Sequence, residues 1–347
     1  MSPTLRIGIV GAGGICRSKH IPNFKQLPGC EFVAVCNRTH ASGAKVAAEF
    51  GIPEVETDWK KLVARADLNV IVIGTWPDMH RDVTVAALKA GKHVLCESRM
   101  AWDEKHAHAM LAAAKAAKRK KLVTMLCPPP TGFRGDFVMQ RLIREGVLGK
   151  PTQLYVRHMN GGLLDGSKPI YWRQIRKFQG INALTLGMLN EPVERWFGST
   201  VRVMAQTKIL TPKRPVEAGS SKLQKVERPD LISILAEMKN GMQATYMFSG
   251  LAQHSGMNVV EAFGTAGMIR YDLDSNRIYV GRTGQAPQEV AYGDTEARHW
   301  TVEADFVSAI RTGAPVTPSF EEGVKYMDFS AAVERSAQTG KAVRVGA

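Results

Sequence analysis

Ile7-Gly8-Ile9-Val10-Gly11-Ala12-Gly13-Gly14-Ile15-Cys16 is the stretch that decides how this chain is read. A short apolar run enters a glycine-rich turn, and the turn opens a helix. Gly11 permits the tight bend, and Gly13 lets the backbone approach a pyrophosphate. Gly14 and Ile15 open the helix, whose first amides are free donors at the positive end of its dipole. Cys16 stands where the usual fingerprint has its third glycine, and it is small enough for close helix–strand packing. The segment predicts a dinucleotide site built on Gly11, Gly13, Gly14 and Ile15.

The pattern on either side supports this. Leu5 to Val10, Phe32 to Cys36, Val70 to Gly74, His93 to Cys96 and Leu122 to Leu126 read as buried strands. Helical stretches separate them at Ala41 to Phe50, Asp82 to Ala90 and Glu104 to Ala117. Regular alternation of this kind predicts a doubly wound parallel sheet. At the end of the second strand, a carboxylate would bind the ribose of NAD. The chain instead has Cys36-Asn37-Arg38-Thr39. Asn37 can hydrogen-bond the ribose and Arg38 can pair with a 2′-phosphate, so the reading leans to NADP over NAD.

Cys127-Pro128-Pro129-Pro130-Thr131-Gly132 continues neither strand nor helix, so the expected division is 1–127 and 128–347. Beyond it, longer alternating runs predict a large open, mostly antiparallel sheet: Thr152 to His158, Val201 to Leu210, Leu231 to Glu237, Met242 to Phe248, Asn258 to Phe263 and Met268 to Asp272. Asp136 to Glu145, Asn182 to Trp196, Thr301 to Thr312 and Phe320 to Thr339 are the expected helices of this half. Thr211 to Val226, rich in Lys, Ser and Pro, reads as a loop. The fold class is therefore α/β, with an N-terminal Rossmann sheet and a C-terminal α/β domain.

The 347 residues are 44% apolar and 22% charged, the balance of an ordinary globular protein with length for two cores. No run reaches the roughly 18 apolar residues of a membrane helix, and the first residues lack a signal-peptide layout, so a cytoplasmic protein is expected. The five cysteines are odd in number, and no pair has two-residue spacing, which favours reduced thiols. His106 and His108 point to different sides of their helix, so no metal is expected. The formal charge of +14 is scattered, apart from Lys115 to Lys121 at a helix end. That distribution suits an anionic substrate or a cofactor phosphate better than nucleic acid.

Several motifs together resemble the glucose–fructose oxidoreductase, inositol dehydrogenase and MocA (Gfo/Idh/MocA) family. They are Gly11 to Ile15 with His20-Ile21-Pro22, Thr75-Trp76-Pro77-Asp78-Met79-His80, Ala87 to Glu97, Leu142 to Tyr155, and Phe306 to Ile310. The resemblance spans nearly the whole chain. It implies reversible hydride transfer between a nicotinamide and a carbinol of a sugar, cyclitol or sugar derivative. It also implies cofactor contacts at Thr75, Trp76, His80, Glu97 and Ser98, and a homodimer or homotetramer formed through the open sheet.

Two departures bear on the chemistry. Where the family has Glu-Lys-Pro, this chain has Glu97-Ser98-Arg99; Arg99 stays protonated and can only polarise. Where the family's helix carries its histidine base, this chain has Leu189, with Thr185 and Pro192 at the two flanking acids. A general acid or base is worth about 10²–10⁴-fold, so an ordinary mechanism does not carry over. The candidate replacements are Glu191, Tyr171, His158, Arg173 and Asn182, with Asn190 close by. Two other readings stay open. One is a redox-neutral nicotinamide enzyme that cleaves or epimerises glycosides; the other is a non-catalytic relative that binds dinucleotide or sugar.

Overall fold

The computed structural model describes residues 3–129, 134–254, 256 and 258–346. Chain contacts divide it into two units, one of residues 1–128 with 300–324 and one of 129–299 with 325–347.

In the first unit six parallel strands lie in the order Glu54–Glu56, Cys30–Cys36, Leu5–Val10, Val70–Ile73, His93–Cys96 and Thr124–Leu126. The central strands are apolar throughout because helices cover both faces: Ile7, Ile9, Val70, Ile71, Val72 and Ile73 are fully buried. The flanking helices start where short polar side chains cap them. Thr39 accepts from the amide of Ser42, Asp58 from that of Lys60, and Asp103 from that of His106. The helix expected from Asp82 begins earlier, at Pro77, a residue that suits the first helical turn. Strand order reverses between Leu5–Val10 and Val70–Ile73, the switch point where such sheets bind ligands beyond their carboxyl ends.

The expected division at 127/128 changes in one respect. The helix Val302–Thr312 buries Val302, Phe306 and Val307 in the core of the first unit. Phe306 meets Phe24 edge-on at 6.4 Å. Its apolar stripe belongs to the Rossmann core although 171 intervening residues, 129–299, form part of the other unit. Pro130, Thr131 and Gly132 of the expected connection lie outside the described residues.

In the second unit nine strands form one sheet, ordered Gln288–Glu289, Arg277–Arg282, Gly267–Asp272, Val259–Gly264, Pro151–Met159, Gln243–Ser249, Leu231–Met238, Thr200–Lys208 and Val343–Arg344. All neighbours are antiparallel except Pro151–Met159 with Gln243–Ser249, which run parallel. Alternation is clear on Leu231–Met238: Ile232, Ile234, Ala236 and Met238 face the core, and Ser233, Leu235 and Glu237 face outward. The segment expected as a loop, Thr211 to Val226, contains a small ladder of Lys213–Pro215 with Leu223–Lys225. Arg214 within it is buried and donates to the carbonyls of Asp165 and Leu163. The helix expected from Asn182 begins later, at Leu186. Asn182 donates to the carbonyl of Gln179 at 2.8 Å and holds a turn instead.

A charged knot fastens the helix Leu186–Phe197 to the helix Asp136–Arg144. Asp136 accepts from Trp196 Nε1 at 2.6 Å, from Arg298 at 2.7 Å, and from Arg195. Removing this buried carboxylate takes one counter-charge from Arg298 and one of two from Arg195, which keeps Glu191. Asp136→Ala is therefore expected to destabilise the second unit by about 3–5 kcal/mol, measured by denaturant unfolding. A loss under about 1 kcal/mol, the scale of an exposed pair, would contradict this account of the knot.

Candidate functional site

The glycine turn has the shape a dinucleotide cradle requires. Gly11 has φ of +84°, and a β-carbon there would lie 2.5 Å from the Thr75 amide nitrogen. Gly13, Gly14 and Ile15 are exposed, and around Gly14 no atom stands within 4 Å of an added β-carbon. Cys16 is fully buried, and a methyl group on Gly74 would run into its sulfur. The cysteine thus fills the place left by two close-packed glycines, as expected of a third-glycine substitute. A π-helical turn, Cys16–His20, follows and runs into Ile21–Lys25.

Asn37 serves this turn. Its Oδ1 accepts from the Ala12 amide at 2.7 Å and its Nδ2 donates to the Ser42 carbonyl at 3.2 Å. One polar end of the side chain braces the glycine turn and the other ties it to the helix His40–Phe50. Arg38 is exposed, its guanidinium 5.1 Å from the centre of the Trp76 ring. The helix that begins at His40 has no acid in its first turn. Thr75 is half-buried, and its Oγ1 has no hydrogen-bond partner among the described residues. His80 is buried, Nε2 3.0 Å from the Thr75 carbonyl and Nδ1 3.0 Å from that of Arg99. It brackets two loops at the edge of the sheet, and burial pushes its pKa down, towards the neutral ring.

Glu97 ends the strand His93–Cys96 and leads into a buried clamp. Its Oε1 lies 2.6 Å from His20 Nε2, and His20 Nδ1 lies 2.5 Å from Glu303 Oε1. Asn23 Nδ2 and Trp300 Nε1 donate to the Glu303 carboxylate at 2.9 and 3.3 Å. The His20 side chain is 0% exposed, that of Glu303 1% and that of Glu97 11%. Burial alone disfavours the imidazolium. The hydrogen bonds to Glu303 and Glu97 outweigh it and raise His20 from 6.5 to about 9. Cys127 Sγ, His20 Nε2 and a Glu97 oxygen lie within 4.8 Å of one another. Burial, followed by the negative charge of Glu97, raises the Cys127 thiol and keeps it protonated. Ser98, at the lysine position of the motif, is half-buried beside this cluster in the chain.

The candidates in the second unit are not gathered into one constellation. Leu189 is fully buried in the core, as is Asn190. Glu191 is buried too, and Arg195, one helical turn on, donates to both its oxygens at 3.0 and 3.1 Å. A carboxylate held by a guanidinium fork is a poor proton acceptor, so this placement does not favour Glu191 as the base. Asn182 is buried; its side chain holds the turn, and its carbonyl accepts from Arg228 Nε at 3.2 Å. His158 is half-buried in strand Pro151–Met159, and burial pushes its pKa down. Tyr171, Trp172 and Arg173 differ from these. Tyr171 is exposed, its ring 5.6 Å from that of Trp172, and Arg173 stacks on Trp172 at 4.4 Å. They form a cationic aromatic surface.

Sequence reasoning assigned no role to His20, Glu303 or Cys127. His20 lay inside a quoted motif, but its partner Glu303 is 283 residues away. The clamp has a pH signature. A rise from 6.5 to about 9 is worth on the order of 3 kcal/mol. Because the folded value is raised, this stability is complete below pH 6.5 and is lost as pH climbs through about 9. Thermal melts across that window should fall for the wild type. His20→Asn should start lower and lose this component; parallel curves would contradict the clamp.

Residues 5–125 match the family model described as the oxidoreductase family, NAD-binding Rossmann fold, and residues 138–270 match the GFO/IDH/MocA C-terminal domain. The chain is 24% identical to levoglucosan dehydrogenase from Pseudarthrobacter phenanthrenivorans over 96% of each chain. It is 30% identical to inositol 2-dehydrogenase from Serratia proteamaculans, over 45% of this chain and 46% of that one. Its fold matches the crystal structure of an oxidoreductase domain protein from Kribbella flavida with a TM-score of 0.88, at 22% identity over 99% of this chain and 100% of that one. Among the described residues no helix is long and apolar enough to cross a membrane. The chain belongs to the Gfo/Idh/MocA family and is a nicotinamide-dependent oxidoreductase.

Proposed function

We propose that the chain is an NADP-dependent oxidoreductase acting on a CH–OH group of a sugar, cyclitol or sugar derivative, with an acid–base set other than the family's lysine and histidine. The observation that carries the cofactor half is the exposed Arg38 on Trp76, next to a helix start without an acid. A guanidinium there suits a 2′-phosphate, and no carboxylate stands at Asn37 to Thr39 for a ribose hydroxyl.

The residues of the turn fit the cofactor. Gly11, Gly13 and Gly14 leave room for a pyrophosphate against the helix start, and the buried Thr75 Oγ1 is free to bond a ligand. When bound, the nicotinamide supplies a hydride acceptor or donor. The carbohydrate half rests on the names of the relatives, which act on an anhydrosugar and a cyclitol. Tyr171, Trp172 and Arg173 are the proposed sugar-facing surface, since a ring face and a cation suit a polyol or an anionic sugar. We assign Glu191 and Asn182 to holding the helix Leu186–Phe197 and the turn before it. The outward face of the nine-stranded sheet carries Leu235, Met204, Met247 and Tyr155, all exposed, and is the proposed surface of a homodimer or homotetramer.

The test is absorbance of reduced nicotinamide, with NADP⁺ or NAD⁺ and a panel of sugars, uronates, cyclitols, anhydrosugars and glycosides. A rise with NADP⁺ is expected. A flat trace with release of an aglycone or epimer would support the redox-neutral reading, which Ser98 and Leu189 keep open. Binding of cofactor with no turnover would support a non-catalytic one. Arg38→Ala is expected to weaken NADPH binding about tenfold or more, followed by fluorescence titration, and to leave NADH binding within about twofold. Equal losses would remove the NADP preference.

A further inference from the structure

We propose that Glu97 is the proton acceptor of this enzyme, and that Glu97, His20 and Glu303 act as one proton-holding unit in place of the missing lysine and histidine. This rests on the oxidoreductase reading above.

Three observations carry it. The first is place. Glu97 follows the strand His93–Cys96 at the carboxyl edge of the parallel sheet, the edge where Rossmann ligands lie. It is also adjacent in sequence to Ser98, the position that has lost its lysine. The second is access. Of the three side chains only Glu97 reaches the surface, at 11%, while His20 and Glu303 are sealed at 0% and 1%. The unit therefore has one open end, and that end is a carboxylate. The third is charge. Two carboxylates around one imidazolium carry a net charge of −1, so the unit can take one proton and become neutral. Burial favours that change, because a net charge away from water is costly.

The groups facing the unit leave this balance alone. Burial, then the charge of Glu97, raises the thiol of Cys16, and the same causes raise that of Cys127. Both stay protonated at neutral pH. His80, which also feels Glu97, is pushed toward its neutral form by burial. Glu303 is fixed by Asn23 and Trp300, so the imidazole ring cannot swing away from Glu97.

The step balances. The carbinol C–H bond breaks with its electron pair leaving as hydride to the oxidised nicotinamide. The O–H proton passes to Glu97 and the C=O bond forms. The proton later leaves to water from the exposed edge of Glu97. Reduction runs the same steps backward. His20 and Glu303 are positioning residues: Glu303 fixes the imidazole ring, and the ring fixes the Glu97 carboxylate.

The first test needs no substrate. In the ¹⁵N-histidine-labelled full chain, with His20 assigned by its absence in His20→Asn, both ring nitrogens should be protonated near neutral pH. They should remain so until about pH 9. A neutral His20 ring near neutral pH overturns the inference whatever the enzyme does. The second test uses a sugar that the wild type turns over. Glu97→Gln should keep NADPH fluorescence binding and lose about 10²–10⁴-fold in kcat, and Glu97→Asp, which keeps the charge, should recover part of it. His20→Asn should lower kcat while leaving the KM for the sugar and NADPH binding little changed, because it removes the group that fixes the Glu97 carboxylate in place. Wild-type kcat in Glu97→Gln, or in His20→Asn, overturns the proposal. A wild type that binds NADPH but turns over nothing in the panel strikes instead at the oxidoreductase reading beneath it.

Discussion

A single imidazolium ties together the first unit. His20 belongs to the helix that leaves the glycine turn, Glu97 to the end of a central strand, and Glu303 to a helix that returns after 171 residues of the other unit. The hydrogen bonds from both ring nitrogens to the two carboxylates, with the charge of those carboxylates, outweigh the cost of burying the imidazolium. Breaking one member would leave a buried charge without its counterpart, a loss of about 3–5 kcal/mol. The helix that leaves the glycine turn is therefore anchored by His20, one turn farther along. The clamp also gives residues 300–324 an electrostatic tie to the Rossmann unit, beside the apolar one made by Val302, Phe306 and Val307.

The second unit uses buried charge differently. Asp136, Glu191, Arg195 and Arg298 form a closed network in which two carboxylates meet two guanidinium groups. Its donors are arginines, which hold their protons across the physiological range, so it fastens helices and moves no proton. The helix Leu186–Phe197 is a core helix, with Leu189 and Asn190 both fully buried. That shifts attention to the carboxylate which remains at the edge of the Rossmann sheet.

How legible each feature was depends on the range of the interactions behind it. The strands Leu5–Val10 and Val70–Ile73 could be read because a sheet covered on both faces must be apolar, and the turn because Gly11 needs a positive φ. Arg38 was readable as a cation in the place of an acid. The Glu191–Arg195 pair also left a signal, since residues four apart on a helix are neighbours, although the chemistry suggested for Glu191 drew attention elsewhere. Asn37 gave no local sign that its side chain would cap Ala12, 25 residues away. His20 and Glu303 were illegible for the same reason, as was the ladder inside Thr211 to Val226, whose composition suggested only a loop. Asparagine can serve a ligand or its own backbone, and the sequence alone did not tell that the Asn182 amide donates to the Gln179 carbonyl.

Hydride transfer between a carbohydrate carbinol and a nicotinamide is the reaction proposed for this chain. The most direct measurement is the mass of the cofactor recovered after turnover of a sugar or cyclitol deuterated at its carbinol carbons. The account predicts reduced NADP carrying one deuterium, accumulating in step with the carbonyl product. Unlabelled oxidised cofactor alongside a chemically changed sugar, or no change in either, would contradict it.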